Sequence, residues 1–425
     1  MNYLKLSKDD LLKEKKEVLK KYENFKKLNL NLNMARGKPS AEQINLSKEL
    51  LASINSESIC ITENGEDCLN YGILDGLSEL KELFAPVLGV KKNQIFVGGN
   101  SSLSMMFDVI SFFMTHGVGG NTPWLKQEKI KFLCPCPGYD RHFAILTHFN
   151  IEAVPVPMTN TGPDMDTVER LVATDDTIKG IWCVPKYSNP QGITYSDETV
   201  RRFAALKPLA TDFRIFWDNA YAIHDLTDTP VKLLNIMDEC EKNGTQNFPI
   251  IFCSTSKITF PGAGVAFLGT SENNLKEIKK MYSFKTIGFD KINQLRHLRY
   301  FKDYQGILKQ MEKHRTILNA KFDTVIDILT SELSDNNIIS FHKPKGGYFI
   351  SVDVLNGCAK RVVELCKNVG LVLTEAGATF PNGFDKNDSN IRLAPSYPTI
   401  NELNTAMQVF CVCVKLAALE KLLEN

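Results

Sequence analysis

Several short apolar runs in this chain end in residues that could do chemistry. Ile95-Phe96-Val97 leads into Gly98-Gly99-Asn100-Ser101-Ser102 and then an apolar helical stretch. Small residues and hydroxyls at such a turn present backbone N–H groups at a helix N-terminus, where the dipole favours a phosphate; the same residues also serve as a plain N-cap. The run Lys131–Cys134 ends near Pro137-Gly138-Tyr139, which puts an aromatic ring at the sheet edge for stacking or for ordinary packing. Another run, Gly180–Val184, is followed by Ser188-Asn189-Pro190-Gln191-Gly192, with an amide held in a turn. Arg214–Trp217 is followed by Asp218-Asn219-Ala220-Tyr221. A carboxylate directly behind a buried strand is costly unless it meets a cation or a proton. Ile250–Cys253 is followed by Ser254-Thr255-Ser256-Lys257. A lysine against apolar walls has a depressed pKa and becomes an imine-forming nucleophile.

In open α/β sheets, ligands bind beyond the carboxyl ends of the strands, so these turns share one crevice. Together they would supply a phosphate cradle, a stacking ring, a buried carboxylate, hydroxyls and a reactive lysine. Those are the parts that a pyridoxal phosphate site requires.

The elements that must position them follow from pattern. The runs between Ile95 and Thr270 read as buried strands of a largely parallel sheet, with helices such as Asp197–Leu206 between some of them: an α/β layer architecture. Before them, Leu11, Leu12, Val18, Leu19, Tyr22 and Phe25 recur at helical spacing. After Glu272 the chain becomes helix-rich through Leu275–Met281 and Gln294–Leu318 and on to Leu329. Strand-like runs at Gly347–Val354 and Asn390–Ala394 then sit among helices that end at Leu423. Three parts are expected: residues 1–50 as an N-terminal helix and segment, 51–290 as a large cofactor-binding domain, and 291–425 as a smaller α+β domain.

Composition excludes other classes. The 425 residues are 43% hydrophobic and 23% charged, with 50 Lys+Arg against 49 Asp+Glu, so no global charge favours nucleic acid or an anionic membrane. The most apolar helix-like stretch, Ser104–Thr115, is too short to span a bilayer and carries Asp108. The N-terminus lacks the apolar core of a signal peptide, which leaves the cytoplasm as the expected location. Eleven scattered cysteines read as reduced core thiols. The seven histidines show no H-E-x-x-H spacing, Cys134/Cys136 and Cys411/Cys413 lack paired C-x-x-C partners, and no G-x-S-x-G occurs, so neither a metal site nor a serine elbow is expected.

The motifs Asn70-Tyr71-Gly72, Gly76-Leu77, Pro137-Gly138-Tyr139, Ser188-Asn189-Pro190-Gln191-Gly192, Asp218-Asn219-Ala220-Tyr221, Ser254-Thr255-Ser256-Lys257 and Asn390-Ile391-Arg392-Leu393-Ala394 keep one order along the chain. In this the sequence, over about residues 30–425, resembles the fold-type I, class I pyridoxal-phosphate aminotransferases. Within that class, Met34-Ala35-Arg36-Gly37-Lys38-Pro39 and Tyr139-Asp140-Arg141-His142-Phe143 resemble a divergent, mainly bacterial subgroup of aspartate aminotransferases.

The resemblance implies that Lys257 holds the cofactor as an imine and shuttles the substrate Cα proton, and that Asp218 pairs with the pyridinium nitrogen. Asn189 and Tyr221 would bond the ring oxygen, and Tyr139 would stack on the ring. Asn100, Ser101, Ser102, Ser254 and Ser256 would hold the phosphate, joined by Tyr71 from the neighbouring subunit of a homodimer. Arg392, with Asn189, would clamp the α-carboxylate, and Gly37 and Arg36 would join the substrate site; a dicarboxylate needs a second cation near its distal end, for which Arg36 and Lys38 are the candidates. The implied reaction is ping-pong transfer between L-aspartate and 2-oxoglutarate. An aromatic or kynurenine aminotransferase would show the same cofactor residues and a C–S lyase would use the same imine and proton removal, whereas the retained Lys257, Asp218 and Arg392 argue against a non-catalytic cofactor-binding regulator. One departure stands out: where the class carries a phosphate-binding Arg, this chain has Gly264.

Overall fold

The computed structural model describes residues 1–424. Eight strands form the main sheet, and five of them run parallel side by side. Glu152–Thr159, Lys131–Cys136, Ile178–Cys183, Arg214–Asp218 and Pro249–Ser254 lie in that spatial order. Ala266–Thr270 and Ile95–Val97 extend one side antiparallel, and Gly162–Pro163 closes the other. Because side chains alternate along a strand, each strand feeds two cores. Ile181, Ile215, Trp217, Ile251 and Phe267 face one; Phe132, Trp182, Phe216, Phe252 and Leu268 face the other. Both faces are covered by helices, which is why these runs are continuously apolar.

Glu152–Thr159 is a strand that the apolar runs did not announce. Pro155 and Pro157 disguise it, and they are tolerated because residues two apart aim their missing N–H groups to the same side. Glu152 N donates to Ile130 O on the sheet side, so the prolines face the short edge pairing with Gly162–Pro163. The periodic stretch after Gln294 is also not one helix. It divides into Lys291–Phe301 and Tyr304–Leu333, with Lys302 at φ 66° and the Asp303 side chain capping Gly306 N.

A second sheet, Ile339–Phe341, Ile350–Val354 and Asn390–Leu393, is antiparallel. Its core draws in Leu11, Val18 and Tyr22 of the N-terminal helix Lys8–Lys26 and much of the C-terminal helix Ile400–Glu424. Leu295, Phe301, Ile307 and Met311 pack with the main sheet, whereas Leu318, Phe322 and Val325 pack with the second core. The two cores therefore meet within the long helix Tyr304–Leu333. All eleven cysteines are buried and free. Among the described residues, no helix is long and apolar enough to cross a membrane.

Candidate active site

The short parallel pairing of Leu32–Asn33 with Leu371–Val372 carries the segment Ala35–Lys38 across to the carboxyl ends of the main-sheet strands. Met34 N donates to Val372 O, and the Thr374 hydroxyl donates to Ala35 O. The result is a cavity of about 520 Å³ walled by both cores. Ser101, Ser102, Tyr139, Asn189, Asp218, Tyr221, Ser254, Ser256, Lys257 and Arg392 all line it, as do Arg36, Gly37 and Lys38.

Asp218 ends its strand and is buried. Its Oδ2 lies 3.0 Å from His142 Nε2. An ionised carboxylate only accepts, so that nitrogen donates. His142 is itself pinned flat on the Trp182 indole, with ring centroids 4.3 Å apart and planes 9° apart. The other carboxylate oxygen, Oδ1, is buried with no partner among the described residues. Leaving a buried acceptor unmet costs on the order of 1–3 kcal/mol, so this oxygen can take a donor from a ligand or a water.

Lys257 sits at the end of the one-turn segment Thr255–Lys257 behind Ser254. Its Nζ lies 5.1 Å from the Tyr221 ring centre and 5.9 Å from that of Tyr348. Burial pushes its pKa below the ordinary lysine value, and the Asp218 charge opposes the shift only in part. A free amine, the nucleophilic form, is thereby favoured. Tyr221 and Tyr348 are both buried, and burial raises both phenols so that they stay protonated donors. The Tyr139 phenol is pushed up to about 12 by burial and by Asp218 and Asp140.

Ser101 precedes the helix Ser102–His116 and spends no side-chain bond on capping it, so its hydroxyl and the first N–H groups remain free. Across the cavity, Ser254 and Ser256 hydroxyls are 3.0 Å apart. Ser254 donates to Ser256 and Ser256 to Asn100 O, so these two hydroxyls would have to turn to join Ser101, Ser102 and the helix N–H groups on a phosphate. Gly264 contributes no cation to it. A Cβ there would stand 3.0 Å from Thr255 Oγ1 and 3.3 Å from Ser256 N, and Thr255 Oγ1 is already committed to Val265 N and His297.

Arg392 comes from the second sheet. Its Nη1 bonds Asp140 Oδ1 at 2.9 Å and Asn189 Oδ1 at 3.2 Å, and its Nη2 bonds Thr374 Oγ1 at 3.3 Å. The guanidinium carbon stands 4.8 Å from the Phe349 ring centre. Gly37 has to be small here, because a Cβ would lie 2.5 Å from the Phe349 ring edge.

Two expected residues fall outside the cavity. The Asn100 side chain is exposed and turned to Gly262 O at 3.4 Å; only its backbone carbonyl takes part, accepting from Ser256. Tyr71 is 84% exposed and lies over a separate surface hollow with Gly288 and Lys291, whose ammonium bonds the carbonyls of Asn70 and Gly72. Sequence reasoning left His142, Asp140, Arg141, Thr374 and Phe349 without a role. Only His142 carried a usable signal, one helical turn beyond Tyr139. Among the described residues, no cluster of His, Cys, Asp or Glu could hold a metal.

The family model described as aspartate amino-transferase matches residues 6–425. An aspartate aminotransferase of Corynebacterium glutamicum is 44% identical over 405 residues, covering 95% of this chain and 93% of its own. The crystal structure of an aspartate transaminase from Corynebacterium glutamicum superposes with a TM-score of 0.96 at 42% identity, covering 99% of both chains. The α-aminoadipate aminotransferase LysN of Thermus thermophilus shares the fold, with a TM-score of 0.74 at 19% identity, 99% of this chain and 97% of its own. The chain belongs to the aspartate amino-transferase family.

Proposed function

We propose that this chain is a pyridoxal-phosphate-dependent aminotransferase that moves an amino group between L-aspartate and 2-oxoglutarate. The observation that carries the reading is the joint placement of Lys257, Asp218 and Arg392 around one cavity, with Asp218 Oδ1 buried and lacking a donor. A protonated pyridine nitrogen would supply the donor that this oxygen lacks among the described residues, and the serines and helix N–H groups suit a phosphate, so the residues present fit the cofactor.

When bound, pyridoxal phosphate supplies an aldehyde for amines and a ring that accepts the electron pair left when Cα loses its proton. Asp218 would pair with the ring nitrogen, and the His142 hydrogen bond holds that carboxylate in place. Lys257 Nζ would carry the cofactor at rest and, once free, take the Cα proton as a general base. Tyr221 and Asn189 would bond the ring oxygen, and Tyr139 would cover one face. Ser101, Ser102, Ser254 and Ser256 would hold the phosphate. Tyr71, exposed on its own chain, suits the equivalent cavity of a second subunit, which supports a homodimer with shared sites.

Arg392 would orient the substrate α-carboxylate, a task suited to a planar fork. The cavity is also lined by Arg36, Lys38 and Arg141, none of which has an acidic partner among the described residues; Lys38 rests on the Tyr397 ring at 3.8 Å. Three uncompensated cations favour a substrate with a second carboxylate over an aromatic one. The relatives named as aspartate aminotransferases support the same choice. A steady-state panel of amino donors with 2-oxoglutarate tests this: L-aspartate is expected to give the highest kcat/KM. Preference for aromatic donors or kynurenine, or release of pyruvate from cystathionine without an oxo acid, would overturn it.

A further inference from the structure

Arg392, the proposed anchor for the substrate carboxylate, already holds a carboxylate of its own chain. Asp140 Oδ1 is 2.9 Å from Nη1. The arginine side chain is 6% exposed and that of Asp140 is 34% exposed, so the pair lies at the boundary between the wall and the open cavity.

The hydrogen-bond count on the guanidinium makes this pairing consequential. Nη1 has two protons, and Asp140 and Asn189 take both. Nη2 gives one proton to Thr374. Nε is buried and has no hydrogen-bond partner among the described residues. A carboxylate that docks end-on, across Nη1 and Nη2, needs a proton that Asp140 now holds.

We propose that Asp140 is a resident counter-ion that exchanges with the substrate carboxylate on Arg392. The inference rests on the reading of Arg392 as the carboxylate anchor. In the empty site Asp140 compensates a guanidinium whose isolation in a dry wall would be costly. As a substrate arrives, its carboxylate takes the Nη1 proton and Asp140 turns to water through its exposed side. As the product leaves, Asp140 returns. No bond other than hydrogen bonds changes and no proton is transferred. The exchange weakens binding of every amino and oxo acid alike, and in return the site never has to expose a bare buried cation during release. A two-stage reaction that admits and expels a carboxylate twice per cycle gains turnover from that arrangement. Asp140 is thus a release element that acts through Arg392, not a group that touches the reacting atoms.

The test is calorimetric binding of succinate to the holoenzyme, with steady-state kinetics beside it. Asp140→Asn keeps the shape and removes the competing charge; Asp140→Ser removes the reach as well. Either is expected to bind succinate about tenfold more tightly, equivalent to about 1.4 kcal/mol, with a lower KM for L-aspartate and a kcat that does not rise. Unchanged or weaker succinate binding in both variants would overturn the exchange. Arg392→Lys separates the two layers. Weakened succinate binding in Arg392→Lys, with no tightening in the Asp140 variants, removes the exchange and leaves the anchor standing. Unchanged binding in Arg392→Lys removes the anchor itself.

Discussion

His142 Nε2 donates to Asp218 Oδ2 across 3.0 Å, and this one bond divides the carboxylate into an anchored oxygen and an open one. The anchored half is held because His142 is stacked on Trp182, and Asp218 lines the cavity that also holds Lys257. A carboxylate free to rotate would share its charge among orientations. Held this way, it presents a single acceptor in one direction.

His142→Phe keeps a ring against Trp182 and removes the donor. A hydrogen bond to a charged group contributes about 1.5–3 kcal/mol, so kcat is expected to fall roughly tenfold to a hundredfold while KM for L-aspartate moves little. Asp218→Asn should fall further, because it removes the charge as well as fixing it less well. Steady-state kinetics on the two variants check this, and an unchanged kcat in His142→Phe would contradict the anchoring role.

Gly37→Ala places a methyl group 2.5 Å from the Phe349 ring, which in turn lies under the Arg392 guanidinium. Relief requires the ring or the Ala35–Lys38 segment to move. The expected result is a several-fold rise in KM for both amino and oxo acids, with kcat less affected, and a stability loss of about 1–3 kcal/mol. Kinetics and denaturant unfolding read the two effects separately. If the substitution leaves KM at the wild-type value, the contact does not govern the carboxylate site.

The Lys257 amine has its folded pKa below its unfolded value because burial disfavours the charged form. At pH values above the unfolded pKa both states are neutral and the residue costs nothing by this route. As pH falls below it and on through the lowered folded value, the unfolded chain binds the proton first, so stability is lost. Cofactor-free Lys257→Met is therefore expected to be more stable than cofactor-free wild type at pH 7, with the gap closing as pH rises toward 10. Urea unfolding at several pH values measures it. A gap that widens with pH would show that the ammonium is stabilised in the fold.

Much of this site could be read in the chain because five of its turns follow apolar strands, where a polar residue is conspicuous. Asp218 and Lys257 stand out for that reason. What stayed hidden depends on contacts between distant segments or on local geometry that composition masks. The Asp140–Arg392 pair joins residues 252 apart, and neither neighbour sequence announces the other. Thr374 and Phe349 enter the cavity only because the second core closes over the sheet. The strand Glu152–Thr159 was masked by two prolines, and the helix break at Lys302 carries neither Gly nor Pro; an Asp303 side chain ends the periodicity instead.

The most direct measurement is borohydride reduction of the holoenzyme followed by peptide mass mapping. A phosphopyridoxyl group is expected on Lys257, together with loss of amino transfer and of the visible absorption band. A label on any other lysine, or no label on a preparation supplied with pyridoxal phosphate, would contradict the assignment of Lys257 and the chemistry built around it.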